Sequence, residues 1–403
     1  MATVHRANPS VNVDQLSSAP IRRLRTLSFS CFQVQTPTIW LGHDLKQGVR
    51  VWDYLHCPGL LLNAYHLLRV KPRVRDRIAE FGVQKVLGFC GPLFIDSGGF
   101  LFRNDRYCRM SPKELLALYH EIQPDLAAVL DLPLNPLASD GVNRRRWLKT
   151  LQNTEFMHRN NGSVQLCPIL HAYSSSTIER RCGELKEALP QPKVICVGSL
   201  VPLLQGRYIG DRFRKSRSTE SPLLTRWRFI AKLILQARKC YPDTVLHVFG
   251  VGSLSTMYLL YLLGIDSVDS VSWRIKAAFG EIQLPGLPNR CVSGICTGVH
   301  TRRKLSREDC GLLMQCNCHS CESLSLSQRI NNLRCSYAAR AVHNASVLIS
   351  EVVHARGALR QNHLEKFVTQ RLQRSPLYAR ILEAVVLPEI GSDANRDLLH
   401  GGH

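Results

Sequence analysis

Residues 93–131 read LFIDSGGFLFRNDRYCRMSPKELLALYHEIQPDLAAVLD, and this stretch decides the fold class. The short apolar run LFID predicts a buried strand at 93–96, and AAVLD predicts another at 127–131. Between them, SPKELLALYHEI predicts a helix over 111–122 that opens with a Ser-Pro start signal. A strand, a helix and a second strand in this order predict a parallel βαβ unit.

The same alternation continues along the chain. Short apolar runs predict eight strands, at 36–41, 60–64, 93–96, 127–131, 166–170, 194–199, 246–250 and 266–270, and a second long helix is predicted over 225–240. Eight such units close most naturally into a (β/α)8 TIM barrel, an α/β fold, although the pattern alone also allows an open doubly wound sheet. The sequence lacks the glycine-rich phosphate cradles of dinucleotide-binding and P-loop proteins.

The chain divides into three predicted parts. Residues 1–25 are polar and basic and predict a flexible arm. We assign 26–283 to the catalytic barrel and 284–403 to a small C-terminal zinc-binding helical subdomain, because the Pro/Gly-rich connection that begins at 284 ends the alternation. A polar, basic loop at 204–222 interrupts the barrel pattern.

The charge of the chain points to a polyanionic partner. Lys and Arg number 52 against 31 Asp and Glu, which gives a net charge of +21 and a pI near 9.7. An arginine-rich excess of this size favours nucleic acid, and the basic clusters at 71–77 and 212–217 are the expected phosphate contacts. No long apolar stretch or signal peptide is present, so we expect a cytoplasmic protein without a membrane partner.

Polar residues stand at the ends of several predicted strands. In a (β/α)8 barrel the carboxyl ends of the strands form the mouth of the active site, so these positions are the first candidates for chemistry. Three carboxylates that converge on one mouth are a stronger signal than any single one. The strand-end residues are Asn63, Asp96, Asp131, His171, Ser199 and Asp269, whereas Asp266 fits a turn or cap.

The segment CNCHSC predicts a metal site. Cys316, Cys318 and Cys321 offer three thiolates within six residues, and thiolates are preferred zinc ligands. In a chain without a secretion signal, such a cluster is better explained by a metal than by disulfides.

Six segments together resemble the tRNA-guanine transglycosylase superfamily, in the order in which that superfamily carries them. The resemblance extends from about residue 36 to residue 345. The matching segments are LLLNAYHLL (60–68), IDSGGF (95–100), VLDLPLNP (129–136), CVGSLVPLL (196–204), HVFGVGS (247–253) and CNCHSC (316–321).

The resemblance implies a role for each matched position. Asp269 corresponds to the nucleophile that attacks C1′ of the target nucleoside, and Asp96 corresponds to the general acid/base. Asp131 corresponds to the residue that reads the base, because a carboxylate accepts hydrogen bonds from N1–H and the 2-amino group of guanine. The other base-binding positions implied are Phe100, Phe249, Gly198, Ser199, Leu200 and His171.

The resemblance also implies a structural Zn²⁺ with four protein ligands. The fourth ligand is expected to be His343, which belongs to a His-Asn pair like that of the family. His354 and His319 remain alternatives. Four protein ligands leave no open position for water, which disfavours a zinc-dependent hydrolase.

The match weakens at positions expected to read the substrate. Leu101 and His171 stand where the family usually has glutamine, and Ser272, Trp273 and Arg274 replace a Pro-Thr-Arg sequence. About 60 residues follow His343, fewer than the RNA-binding domains of archaeal tRNA enzymes require.

These departures favour the bacterial and phage branch that places 7-deazaguanines in DNA. The expected reaction is exchange of guanine in DNA for 7-cyano-7-deazaguanine. The expected partners are double-stranded DNA and the free 7-deazaguanine base, and the resemblance allows an ATPase helper protein. The alternatives are a tRNA-guanine transglycosylase and a noncatalytic nucleic-acid-binding accessory subunit.

Overall fold

A parallel barrel of short strands forms the centre of the molecule. The computed structural model describes residues 22–45, 48–104, 110–173, 175–205, 221–293 and 303–392. The strands in these ranges are β1 (Thr26–Ser28), β2 (Gln33–Gln35), β3 (Thr38–Gly42), β4 (Leu60–Asn63), β5 (Leu93–Asp96), β6 (Leu126–Ala128), β7 (Leu166–Cys167), β8 (Ile169–Leu170), β9 (Val194–Val197), β10 (Val245–Val248), β11 (Ser267–Ser270), β12 (Glu281–Ile282) and β13 (Arg290–Cys291).

The barrel closes through the segment 166–170. The strand order is β7-β6-β5-β4-β3-β11-β10-β9-β8, and every neighbouring pair in it is parallel. β7 and β8, at the two ends of this order, are separated only by Pro168, which has no N–H for the ladder. The Pro168 carbonyl still accepts a hydrogen bond from Cys196 N at 2.9 Å. The predicted (β/α)8 barrel is therefore confirmed, with strand 166–170 split at its proline.

Helices surround the barrel and form the C-terminal subdomain. Among the described residues the α-helices are Ala64–Leu67, Pro72–Phe81, Val83–Leu87, Pro112–Ile122, Asp140–Arg159, Ile178–Ala188, Val201–Gln205, Pro222–Cys240, Leu254–Leu262, Ser272–Ala278, Arg307–Met314, Leu326–Cys335, Tyr337–Arg360, Leu364–Leu372 and Pro376–Ile381. Short 3₁₀ turns lie at Val51–Asp53, Gly99–Asn104 and Ser175–Thr177, and a π turn lies at Leu382–Val386.

Two of the barrel helices begin at a Ser-Pro pair. Ser111 and Glu114 form a capping box at the start of the helix predicted over 111–122, and Pro112 is its first residue. The helix predicted over 225–240 begins earlier, at Pro222, because the Ser221 side chain accepts a hydrogen bond from Leu224 N. The Ser-Pro signal at 221–222 sets its true start.

The strand predicted at 127–131 ends early, at Ala128. Beyond it, side chains of helix Asp140–Arg159 bind the backbone. Asn153 Nδ2 donates to Leu130 O at 2.9 Å, and Leu132 N donates to Thr150 Oγ1 at 3.0 Å. Asp131 therefore lies on a loop held by this helix, outside the sheet ladder.

Asp266 lies at the amino end of β11, opposite the mouth. It forms buried ion pairs with Arg238 and with Arg25 NH1, the latter at 2.7 Å, and its Oδ2 accepts a hydrogen bond from Leu246 N. A buried carboxylate needs such partners to remain ionised. Asp266 thus stabilises the end of the barrel opposite the mouth. The sequence predicted only a turn or cap role for it.

The C-terminal part contributes to two separate cores. Apolar side chains between 282 and 339 form a small core around the cysteine cluster, with Leu313 and Leu333 fully buried. Residues 341–390 instead pack into the barrel core. Glu351 helps to fasten these helices, since it accepts hydrogen bonds from Tyr258 Oη at 2.6 Å and Arg371 Nε at 2.7 Å.

Several predicted features lie outside the described residues. These are residues 1–21 of the predicted arm and residues 206–220 of the basic loop, including the cluster at 212–217. No helix in the described ranges has both the length and the apolar character needed to cross a membrane.

Candidate active site

Asp96 lies at the carboxyl end of β5, directly beside Asn63 at the end of β4. The register of the two parallel strands pairs these residues, and Asn63 Nδ2 donates to Asp96 Oδ2 at 2.8 Å. Asn63 Oδ1 accepts a hydrogen bond from Tyr65 N at 3.0 Å, which fixes the orientation of the amide. From sequence alone, Asn63 is expected at the mouth without a role. The pairing of strand ends in a parallel sheet is the signal that assigns one.

The Asp96 carboxyl group has a raised pKa. Burial raises its pKa from 3.8 to about 8, and the neighbouring carboxylates of Asp131 and Asp269 contribute to the rise. Hydrogen bonds from the Gly98 backbone and from Asn63 oppose it. Asp96 therefore retains its proton at neutral pH, as a general acid must.

Asp269 lies in β11 near its carboxyl end and is buried. Its Oδ1 accepts a hydrogen bond from Gly250 N at 2.8 Å, and its carbonyl accepts one from Val251 N at 2.9 Å. Gly250 has φ of +72°, and a Cβ there would lie 2.6 Å from Val201. The loop after β10 thus holds one oxygen of the carboxylate. Among the described residues, no donor is bound to Oδ2.

His247 lies behind Asp269 in the barrel interior. Its Nε2 is 3.5 Å from Asp269 Oδ1, and its Nδ1 is 3.0 Å from Ser267 Oγ. Ser267 Oγ accepts a hydrogen bond from Trp40 Nε1, so its own proton is available to Nδ1. We assign the imidazole proton to Nε2, because a lone pair there would face the Asp269 carboxylate at 3.5 Å. Burial lowers the pKa of His247, which keeps the ring neutral.

The sequence alone gives His247 no role, although its segment is among those that resemble the superfamily. A histidine inside a buried strand, next to a strand that carries a carboxylate, is the signal that could have found it.

Asp131 contacts Ser97 and His171, and His171 is held in turn by Ser199. Ser97 Oγ donates to Asp131 Oδ1 at 2.9 Å, and His171 Nε2 lies 3.0 Å from Oδ2. His171 Nδ1 is 2.8 Å from Ser199 Oγ. Gly99 is needed for close approach, since a Cβ there would lie 2.0 Å from Asp131 Oδ1.

The other residues expected to contact the base differ in their exposure. Phe100 is 52% exposed at the start of the turn after β5, whereas Phe249 is partly buried and packs against Phe94 and His247. Gly198 N already donates to Leu170 O, and Ser199 O accepts from Tyr173 Oη. Leu200 is buried.

The replaced Pro-Thr-Arg sequence has a structural role. Trp273 is fully buried and stacks with His43, the ring centroids being 6.3 Å apart. Arg274 NH1 pairs with Asp44 Oδ2 at 3.1 Å, and Ser272 Oγ lies 2.8 Å from Ser270 Oγ. All three side chains therefore have contacts within the protein, although Trp273 Nε1 and Arg274 Nε are buried without a hydrogen-bond partner among the described residues.

Cys316, Cys318, Cys321 and His343 form a candidate metal centre. Their ligand atoms all lie within 4.8 Å of one another, and His343 Nδ1 is 3.5, 3.7 and 3.5 Å from the three sulfurs in turn. A tetrahedral zinc, with bonds of about 2.3 Å to sulfur and about 2.0 Å to nitrogen, requires sulfur and nitrogen ligands about 3.6 Å apart. The four residues therefore fit zinc.

The other two histidines lie elsewhere. His354 Nδ1 is 3.0 Å from Glu351 Oε1, and the His319 ring packs against Tyr54. The structure thus brings the expected His343 to the cysteine cluster.

The metal centre is connected to the strand that carries Asp269. His343 Nε2 lies 2.9 Å from the Gln283 carbonyl, and Gln283 Nε2 donates to Ser272 Oγ at 3.2 Å. Asn344 Oδ1 accepts from Gln283 N at 2.7 Å. The His-Asn pair therefore links the metal centre to the start of helix Ser272–Ala278, which follows β11.

The basic cluster at 71–77 forms an exposed surface. Arg73, Arg75 and Arg77 project from helix Pro72–Phe81 into solvent. Arg75 also lies 3.9 Å from Glu121 in a solvent-accessible ion pair.

Comparison with known proteins agrees with this arrangement. The family model described as queuine tRNA-ribosyltransferase matches residues 20–377. The tRNA-guanine(15) transglycosylase of Pyrococcus abyssi is 22% identical over 373 residues, covering 90% of this chain and 57% of the archaeal protein. That of Korarchaeum cryptofilum is 25% identical over 397 residues, with 93% and 56% covered.

A third relative matches over a shorter span. The tRNA-guanine(15) transglycosylase of Methanopyrus kandleri is 29% identical over 226 residues, covering 54% of this chain and 44% of that protein. The chain spans about half the length of these relatives. Since the family model covers most of the sequence, the chain belongs to the queuine tRNA-ribosyltransferase family.

Proposed function

We propose that this chain is a guanine transglycosylase, a pentosyltransferase that exchanges guanine in a nucleic acid for a free base. One observation carries the proposal. The Asp96 carboxyl group, with a pKa of about 8, lies next to the carboxylates of Asp131 and Asp269 at the barrel mouth. A proton donor and a held carboxylate at one mouth are what this reaction needs, which favours an enzyme over a noncatalytic subunit.

In the first step, Asp269 Oδ2 attacks C1′ of the target nucleoside. The bond between C1′ and N9 breaks as the new bond forms, and Asp96 gives its proton to the departing guanine. Gly250 N holds the other oxygen of Asp269. The product is a covalent ester between the protein and the sugar.

The second step reverses the first with a different base. The ionised Asp96 removes the N9 proton of the incoming base, whose N9 then attacks C1′ and expels the Asp269 carboxylate. Two inversions at C1′ give net retention, as in retaining glycosidases. A β-nucleoside therefore remains a β-nucleoside.

Asp131 is the proposed reader of the base. Its carboxylate would accept hydrogen bonds from N1–H and the 2-amino group, which guanine shares with its 7-deaza analogues. Phe100 and Phe249 are the proposed stacking partners, and backbone groups of Gly198, Ser199 and Leu200 would border the base.

Zinc bound by Cys316, Cys318, Cys321 and His343 would be structural. Four protein ligands leave no position for a reacting water, and the link through Gln283 holds the start of helix Ser272–Ala278.

We favour tRNA as the polymer. The named relatives are tRNA-guanine transglycosylases. The side chains of residues 272–274, whose departure from the family pattern favoured DNA, contact other residues of the protein. On either polymer the target nucleotide must leave the stack to reach the mouth. The exposed arginines of helix Pro72–Phe81 would bind phosphates.

Product analysis separates the polymers. Wild-type protein is incubated with labelled guanine or 7-cyano-7-deazaguanine and either tRNA or duplex DNA, and the polymer is digested for mass spectrometry. We expect labelled nucleoside in tRNA. Label in DNA alone would restore the DNA hypothesis, with its 7-cyano-7-deazaguanine and ATPase partner, and label in neither polymer would contradict the proposed activity.

A further inference from the structure

We infer that His171 determines base selectivity by fixing the Asp131 carboxylate, without touching the base itself. This inference rests on the proposed function and concerns the same mouth. His171 stands where the family's glutamine helps to recognise the base, but its side chain is 0% exposed. It occupies a slot that only glycine at position 198 permits, since a Cβ there would lie 2.4 Å from His171 Cε1.

The hydrogen-bond network assigns the ring's proton. Ser199 Oγ accepts a hydrogen bond from Leu134 N at 2.8 Å. Its hydroxyl proton is thereby available to His171 Nδ1, also 2.8 Å away. We assign Nδ1 as the acceptor and place a proton on Nε2, because a lone pair at Nε2 would face the Asp131 carboxylate at 3.0 Å.

This proton faces Asp131. Nε2 lies 3.0 Å from Asp131 Oδ2, within ion-pair distance, although the pair does not meet the geometry of a hydrogen bond. On the other side, Ser97 Oγ accepts from Gly99 N at 3.2 Å and donates to Asp131 Oδ1 at 2.9 Å. Two chains of donors thus begin at backbone N–H groups and converge on one carboxylate.

The consequence is a fixed acceptor at the mouth. With a protein donor beside each oxygen, the carboxylate cannot rotate freely, and its remaining lone pairs have set directions. Nδ1 of His171 is bound to Ser199 and Nε2 faces Asp131 within a fully buried ring, so the ring presents no polar group to the base. Selection then depends on a base that offers two adjacent donors, N1–H and a 2-amino group. Hypoxanthine, which lacks the amino group, would be rejected.

Two substitutions distinguish the role of Nδ1 from the role of Nε2 in His171. In His171→Gln the amide nitrogen reaches the position of Nε2 and keeps the donor toward Asp131, whereas in His171→Asn the amide reaches only the position of Nδ1. We expect His171→Asn to raise the KM for free guanine about tenfold, with kcat changed less than about twofold, and to reduce discrimination against hypoxanthine about tenfold. His171→Gln should restore both quantities to within about threefold of wild type.

A double-variant cycle tests whether His171 acts through Asp131. In the Asp131→Asn background, His171→Asn should have no further effect on guanine KM. Additive effects, or equal effects of the two His171 substitutions, would overturn the inference. Ser199→Ala, which removes the proton directed at Nδ1 and leaves the ring in place, should shift guanine KM in the same direction if His171→Asn does not fold.

Calorimetric binding of free guanine gives a readout that needs no turnover. We expect the affinity for free guanine to follow the same order. Wild type should bind more tightly than His171→Gln, and both should bind more tightly than His171→Asn. Wild-type protein that binds guanine in this order but exchanges it into neither polymer would contradict the proposed function alone. Active wild type with unchanged guanine binding in His171→Asn would contradict the inference alone.

Discussion

Gly250 donates its backbone N–H to Asp269 Oδ1 over 2.8 Å, across the gap between the loop after β10 and strand β11. This hydrogen bond holds one oxygen of the carboxylate, so the other oxygen has a defined direction at the mouth. The positive φ of Gly250 is what aims the N–H.

Substitution of this glycine should impair the chemical step. Gly250→Ala would strain the backbone at φ of +72° and place a Cβ 2.6 Å from Val201, displacing the N–H from Asp269. We expect kcat to fall about 10- to 100-fold, the loss of one hydrogen bond to a charged group. Gly252→Ala is the matched control, because a Cβ at Gly252 meets no atom within 4 Å. Equal losses in both variants would show that the N–H of Gly250 has no special role.

The rate of the first half-reaction should fall at alkaline pH. Asp96 must be protonated to release guanine, and its pKa is raised to about 8. Single-turnover rates should therefore be level below this pH and decrease about tenfold per pH unit well above it. A rate that kept rising through pH 9 would contradict the assignment of Asp96 as the acid.

Asn63 should set the position of that decrease. Its hydrogen bond favours the ionised form of Asp96 and lowers the pKa, so Asn63→Ala should raise the pKa further and move the alkaline limb to higher pH. The same pH titration measures it, with thermal unfolding as a check on the lost cap at Tyr65. An alkaline decrease in rate that moved to lower pH in Asn63→Ala would show that the Asn63 hydrogen bond does not favour the ionised form of Asp96.

The arginines of helix Pro72–Phe81 should contribute to the salt dependence of nucleic-acid binding. Reversing the charges of Arg73, Arg75 and Arg77 to Glu should weaken binding and reduce the slope of log K against log salt by about 2 to 3, close to one for each phosphate that is no longer neutralised. Arg159→Glu is the control, since Arg159 ends a different helix and forms a surface ion pair with Glu155. If the two surfaces gave the same slope, helix Pro72–Phe81 would not be the binding face.

Loss of the metal centre should destabilise the subdomain. Cys318→Ser, or treatment with a strong chelator, should remove one equivalent of zinc per chain and lower the melting temperature, because metal binding contributes folding free energy. Cys335→Ser should retain full zinc content, as Cys335 is exposed and does not belong to the ligand group. Elemental analysis together with calorimetry provides the test. A Cys318→Ser protein with full zinc content would exclude this ligand set.

Sequence predicted the barrel because its signals are local. Each strand is a short apolar run. The split of the closing strand 166–170 has only one sign in the sequence, which is Pro168 inside an apolar segment. The helix start at Ser221 could also have been found, since the Ser-Pro pair repeats the one at 111–112. Where β6 ends depends on side chains of a helix that starts 12 residues later, at Asp140, and no local pattern encodes that.

The candidate site was predictable to the level of its residue types. Carboxylates at strand ends and the cysteine spacing were visible in the sequence, and the structure brings Asp96, Asp131 and Asp269 together as expected. The partners were not visible. The contacts of His171 with Ser199 and Asp131 join residues 28 and 40 positions away, and their direction depends on rotamers set by glycines at 99 and 198.

The most direct test is to trap the covalent intermediate. Wild-type protein and the Asp269→Asn variant are incubated with labelled tRNA in the absence of an incoming base, denatured, and separated on a gel, and the adduct is mapped by mass spectrometry. We expect a stable adduct on Asp269 in wild type and none in Asp269→Asn. An adduct of equal yield in the variant, or base exchange by the variant at the wild-type rate, would contradict it.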